Sequence, residues 1–182
     1  TIRGKVTGES AIKPEYTGDG TLVLEPTYKH IILLDLDEWG NSIVLDDGLF
    51  LACESTSKPR AVRRKTFSSA FAGGEGFFNL GLKGSGVVCI ESDCSREELV
   101  EITLEDDVVK IDGNLAIAWS GSLDFTVERA GKSLLGSAAS GEGLVNVYRG
   151  TGKVLLAPVG NQAMKPQQVI EKEPVIVGDD DE

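Results

Sequence analysis

Apolar residues in this chain come in short runs that follow paired glycines. Leu22-Val23-Leu24, Val87-Val88-Cys89-Ile90 and Val154-Leu155-Leu156 each come directly after a Gly-x-Gly step and one further residue or none, and none of them alternates with polar residues. A strand with one face in water alternates, so these runs predict strands buried on both faces. One face would rest on the unit's own core, the other on a neighbouring unit or subunit. The Gly-x-Gly steps join runs rich in Val, Leu and aromatics, a pattern that predicts β-hairpins. Glycine is required there because such turns demand φ > 0. No stretch sustains a 3.6-residue apolar period over three turns, and only residues 95–104 predict a short helix or turn.

The spacing of these elements organises the chain. Segment 8–26 reads GESAIKPEYTGDGTLVLEP, segment 74–92 reads GEGFFNLGLKGSGVVCIES, and segment 141–158 reads GEGLVNVYRGTGKVLLAP. The pairs Gly18/Gly20, Gly84/Gly86 and Gly150/Gly152 follow at intervals of 66 residues (84 − 18 and 150 − 84). Self-similarity at a fixed period is the signature of a repeat architecture. A second element, NSIVLDDGLFLACES from Asn41, resembles DVVKIDGNLAIAWS from Asp107, with the Asp-Gly steps at 47–48 and 112–113. The reading is one all-β domain over 1–160, with pseudo-repeats at about 8–73, 74–140 and 141–160. The last is incomplete, and its missing half would come from the N-terminal segment or from a neighbouring chain. Residues 161–182 carry two basic and six acidic side chains and predict a flexible acidic tail, whose Val169-Ile170 and Val175–Val177 clusters are candidates for an edge strand or a docking segment.

Composition narrows the function. Eighteen basic against 29 acidic residues give a net charge of −11, which disfavours nucleic acid and anionic membranes as partners. No apolar run reaches the ~20 residues needed to cross a bilayer, and no secretory leader is read, so a cytoplasmic protein is expected. The three cysteines, Cys53, Cys89 and Cys94, are an odd number without CxxC spacing. They predict reduced, mostly buried thiols rather than a disulfide frame or a zinc site.

Candidate chemistry is sparse. The one histidine, His30, excludes multi-histidine metal centres, and no GxSxG elbow accompanies it. Gly131-Lys132-Ser133 resembles a P-loop end, but Thr126 stands where that motif needs glycine. Gly74-Glu75-Gly76 is not a dinucleotide fingerprint, because Asn79 replaces its third glycine and a strand follows. The pairs Asp46/Asp47 and Asp106/Asp107 fall at or beside predicted turns, where solvated acids are ordinary. Lys58, Arg60, Arg63, Arg64 and Lys65 place five positive charges in eight residues. They are a candidate anion or partner patch, weighed against an exposed connection between units. No catalytic residue, cofactor site or metal site is predicted.

The GEG…GxG segments at 74–92 and 141–158, with LDDGLFLA at 45–52, resemble the domain-of-unknown-function-124 family, whose eukaryotic members are the altered-inheritance-of-mitochondria proteins. The resemblance covers about 8–158. It implies tandem short double-stranded β-helix units, jelly-roll-like and similar in fold to the tryptophan RNA-binding attenuation protein, with chains closing into a ring. It carries no established catalytic residues. The expectation is therefore a non-enzymatic, self-assembling scaffold or binding protein, a homotrimer. The alternative is a small-ligand binder, less readily an RNA binder, with pockets between adjacent units.

Overall fold

The computed structural model describes residues 14–24, 28–63, 65–66, 78–112, 115–129 and 144–158. The P-loop-like 131–133, Gly74–Gly76, Arg64 and the tail 161–182 lie outside them. The described residues form eleven strands and no α-helix. In order these are β1 (His30–Asp35), β2 (Ser42–Leu45), β3 (Phe50–Cys53), β4 (Ser57–Arg63), β5 (Lys65–Thr66) and β6 (Phe78–Gly84). They continue as β7 (Val87–Ser92), β8 (Val100–Asp112), β9 (Ala116–Ser120), β10 (Asp124–Arg129) and β11 (Leu144–Leu156). A single 3-10 turn, Leu36–Trp39, follows β1. The Asp35 carboxylate caps it by accepting the Asp37 N–H at 3.0 Å, and Gly40 closes it at φ 67°. That turn buries Leu36 and Trp39.

The strands form two sheets. A three-stranded sheet has the order β1-β7-β3. An eight-stranded sheet, curled as a half-barrel, runs β4-β6-β2-β9-β11-β10-β5, with β8 alongside β11. Strand β8 runs antiparallel to β11 over nearly its full length, from Leu156 opposite Val100 to Val145 opposite Asp112. The ladder slips at Gly150–Gly152, opposite Asp106, which sits at φ 51°. A bulge of this kind bends both strands together.

The turn signals do not make hairpins. Strands β6 and β7, on either side of Gly84-Ser85-Gly86, belong to different sheets, as do β2 and β3, on either side of Asp47-Gly48. Gly150-Thr151-Gly152 lies within the single strand β11. The pairs Gly84/Gly86 and Gly150/Gly152 each mark a corner at which the strand neighbours change. On one side of the corner β6 lies between β2 and β4, and on the other β7 lies between β1 and β3. Of the short helix or turn predicted over 95–104, the structure has the turn, which leads into a strand. Glu98 N–H donates to Ser95 O at 3.1 Å, and β8 begins at Val100.

Two apolar clusters fill the interior. The first gathers Ile32, Leu34, Ile43, Leu45, Leu82, Val88 and Ile90 and extends to Ile117, Ala118 and Leu155. The second gathers Val44, Leu104, Ile111, Trp119, Tyr148 and Val154. In the second, Trp119, Phe125 and Tyr148 meet pairwise at centroid distances of 5.0 to 5.4 Å, tilted or edge-on. Aromatic pairs favour such geometries over a face-to-face stack.

Burial on both faces holds only for the third apolar run. Val154 and Leu155 are fully buried. In the second run Val88 and Ile90 are buried, and Val87 and Cys89 are half-buried. The first run pairs with no described strand, and Leu22, Val23 and Leu24 are 56%, 85% and 43% exposed. A charge at Val88 or Val154 would therefore strike a core before it struck an assembly. Trp119 is buried and meets both Phe125 and Tyr148. We expect Trp119→Ala to lower unfolding free energy by about 3–5 kcal/mol in urea titrations followed by circular dichroism. A loss under about 1 kcal/mol would contradict this packing.

Candidate functional site

The two Gly-x-Gly corners are the most elaborated features of the fold. At the first, Thr56 Oγ1 donates to Ser85 O at 2.7 Å, and Glu54 Oε2 accepts the Val87 N–H at 2.9 Å. At the second, Ser122 Oγ donates to Thr151 O at 2.8 Å, and Ser120 Oγ accepts the Lys153 N–H at 3.0 Å. Every partner in the second set stands 66 residues after its counterpart: 122 after 56, 151 after 85, 120 after 54 and 153 after 87. The bonded groups differ in type, Thr for Ser and Glu for Ser. Any side chain with an oxygen at the right reach satisfies a bent main chain. This variation hides the brace from sequence inspection.

The glycines at these corners differ in what they tolerate. Gly84 has φ 140°, and a Cβ there would collide with the Thr56 carbonyl oxygen. Gly150 has φ 116°, and its nearest neighbour to such a Cβ is Leu123 at 3.8 Å. Gly86 and Gly152 are crowded by Glu54 and Ser120 respectively, and Gly18 and Gly20 face open space.

Three residues of the basic segment, Lys58, Arg60 and Arg63, fall on one strand. They lie in β4, the edge of the larger sheet, paired to β6 from Ser57–Gly84 to Arg63–Phe78. Successive strand residues point to opposite faces, so Lys58 and Arg60 share one face and Arg63 takes the other. Arg60 lies across Gly81 and donates from Nη2 to Ser42 Oγ at 3.1 Å. Lys58 stands opposite Lys83 in the ladder, an unfavourable like-charge pair that an incoming anion would relieve. Lys65 continues in β5, beside Thr126 of β10.

Other charges are arranged in opposite-sign groups. Arg149 donates to Thr126 Oγ1 at 3.1 Å and to Glu128, which Lys110 approaches at 3.6 Å. The hydrogen bond from Arg149 holds the Glu128 carboxyl below its ordinary range, with the two cations adding to it. Lys153 meets Glu101 at 2.9 Å and lies 5.8 Å over the Trp39 ring. Pairs this exposed contribute little to stability.

Two of the thiols are shifted away from thiolate. Burial pushes the Cys53 thiol up, partly offset by Lys58, and burial with Glu91 pushes Cys89 up. A nucleophilic cysteine needs the opposite shift, toward thiolate at neutral pH. Cys53 pairs across from Val88, and Cys89 from Ala52, so the two sulfurs point to opposite faces. His30 is exposed on β1. Among the described residues no three His, Cys, Asp or Glu side chains form a metal-holding group, and no helix is long and apolar enough to cross a membrane.

Comparison with known proteins matches residues 1–159 to the family described as Mitochondrial biogenesis AIM24. An uncharacterized protein of Streptococcus pyogenes serotype M6 is 31% identical over 157 residues, which is 85% of this chain and 61% of that protein. A crystal structure of a Streptococcus pyogenes protein superposes with a TM-score of 0.55 at 28% identity, covering 74% of this chain and 56% of that one. The chain thus spans less than two thirds of both.

Two expectations come from this geometry. Gly84→Ala should lower stability by roughly 3 kcal/mol and Gly150→Ala by roughly 1 kcal/mol, because both strain φ but only the first meets backbone. Equal losses in parallel denaturant titrations would contradict the corner geometry. Glu128 has a depressed folded-state pKa. Its contribution is therefore complete above the ordinary carboxylate range and fades as pH falls through the folded-state value. Arg149→Met should return Glu128 to that range, read as its side-chain carbonyl shift in a pH titration by NMR; an unchanged midpoint would contradict the assignment.

Proposed function

This chain belongs to the AIM24 family, and on that premise we propose that it is a non-enzymatic β-scaffold or binding protein that self-assembles. In this reading the chain is built from tandem short double-stranded β-helix units and closes head to tail as a homotrimeric ring in the cytoplasm. The observation that carries it is a coincidence of register. Strand β2 faces β6 with Ser42 opposite Lys83, and β8 faces β11 with Val108 opposite Arg149, both numbers being 66 higher. Strand β3 faces β7 with Cys53 opposite Val88, and β9 faces β11 with Trp119 opposite Val154, again 66 higher. Both of these latter ladders slip by one residue at the corresponding step, Phe50/Ala52 and Leu155/Leu156.

Units of this kind leave strand edges at the ends of the array, and such edges are paired, covered or closed in soluble proteins. Head-to-tail contacts either close into a ring or extend as a filament. The exposed Leu22, Val23, Leu24, Ile31 and Leu33 supply apolar surface for closure. Cys53, Cys89 and Cys94 form no disulfide, which accords with a reducing compartment. The net charge of −11 weighs against RNA as the cargo.

Size-exclusion chromatography with light scattering tests the assembly. A trimer has about three times the 19.4 kDa of one chain. A stable monomer at micromolar concentration overturns the scaffold reading. A small molecule retained at fixed stoichiometry in native mass spectrometry would favour the alternative, a small-ligand binder with its site between adjacent units.

A further inference from the structure

We propose that the outer edge of β8 pairs antiparallel with the outer edge of β3 of a second copy of this chain. The register sets Val109 opposite Glu54, Lys110 opposite Cys53 and Ile111 opposite Ala52. This interface rests on the self-assembly reading and specifies its contact.

The template is a junction inside the chain. Strands β2 and β9 pair with Ile43 opposite Ser120, Val44 opposite Trp119 and Leu45 opposite Ala118. Its ends are closed by Asp46 N–H to Ile117 O and Gly121 N–H to Ser42 O, each 2.8 Å. Residues 108–111 of β8 hold the register against β11 that residues 42–45 hold against β6. Residues 50–53 of β3 hold the register against β7 that residues 116–119 hold against β11. So β8 presents the edge that β2 presents to β9, and β3 presents the edge that β9 presents to β2. Moving the junction forward by 66 on one side and back by 66 on the other gives the stated pairs. Its closing bonds become Asp112 N–H to Leu51 O and Ser55 N–H to Val108 O.

Burial marks the same surfaces. At the internal junction Ile43, Ile117, Ala118 and Leu155 are all buried. Their counterparts at 66 residues' distance, Val109, Leu51, Ala52 and Cys89, are each only half-buried. Val108 is 46% exposed. Among the described residues β3 pairs only with β7 and β8 only with β11, so each has an outer edge without a ladder. The internal junction completes the first apolar cluster with Ile117, Ala118 and Leu155. A second copy would complete the second cluster beside Val109 with its Leu51, Ala52 and Cys89. Both sides of the junction exist on one chain, so a copy supplies what each edge lacks. The contact is heterologous, edge β8 to edge β3.

A disulfide scan of the full chain tests the register. Residues directly opposite in an antiparallel ladder have Cα atoms about 4.5–5.5 Å apart, within disulfide reach. Lys110→Cys places a thiol opposite native Cys53, and its side chain is exposed, so the fold is retained. Mild oxidation should convert most of the protein to covalent multimers joined Cys53 to position 110, identified by peptide mass spectrometry. Adding Cys53→Ser should abolish them. The double variant Ser55→Cys with Val108→Cys alters two exposed positions and should link in the same way. Light scattering on the unmodified chain runs in parallel. An oligomer without these links, or linked through Cys89 or between two copies of position 110, overturns this interface and leaves self-assembly standing. A monomer overturns both.

Discussion

Three residue pairs between β2 and β9 join the halves of this molecule. Through Ile43–Ser120, Val44–Trp119 and Leu45–Ala118 the sheet runs continuously from β4 to β10. The ladder also divides the interior by side-chain alternation. Ile43, Leu45 and Ala118 point into one apolar cluster, while Val44 and Trp119 point into the other. Neither cluster is complete without this contact. That is why the central strands, β2 and β9, carry almost no polar residues. A strand shared by two cores cannot alternate, because both of its faces are dry.

The Gly-x-Gly corners make that sharing geometrically possible. A strand that serves two sets of neighbours must change direction between them. Each corner exposes main-chain groups that no ladder satisfies. Thr56 and Glu54 satisfy them at one corner, Ser122 and Ser120 at the other. Gly84 is required at its corner because the Thr56 carbonyl occupies the space of a Cβ. Packing, positive φ and side-chain bracing thus converge on the same few residues, and strain held this way persists only where its surroundings determine it.

Glu128 and Glu101 each meet cations, and burial pushes the Cys53 and Cys89 thiols up. Among the described residues the outer edges of β3 and β8 carry no ladder, and Leu22–Leu24, Ile31 and Leu33 are exposed. The chain belongs to the AIM24 family, superposes on a streptococcal structure over 74% of its length, and spans less than two thirds of both streptococcal proteins it matches.

The sequence by itself determined that the chain is all-β, because no apolar period of 3.6 residues persists. It also located the corners, because glycine pairs at 66-residue intervals mark where φ must be positive; Gly84 and Gly150 are at 140° and 116°. It did not determine which strands are neighbours. A Gly-x-Gly step between two apolar runs reads as a hairpin, since local turn chemistry is the same whether the chain doubles back or passes to another sheet. The partners of β6 and β7 lie in other parts of the chain, so only tertiary packing separated them. The basic run met the same limit. Five nearby charges count as one patch in a sequence, but strand alternation sends Arg60 and Arg63 to opposite faces. The apolar run at Leu22–Leu24 reads like those at Val87 and Val154, yet it is exposed where they are buried or half-buried. Burial depends on what lies alongside, and no described strand lies beside that segment.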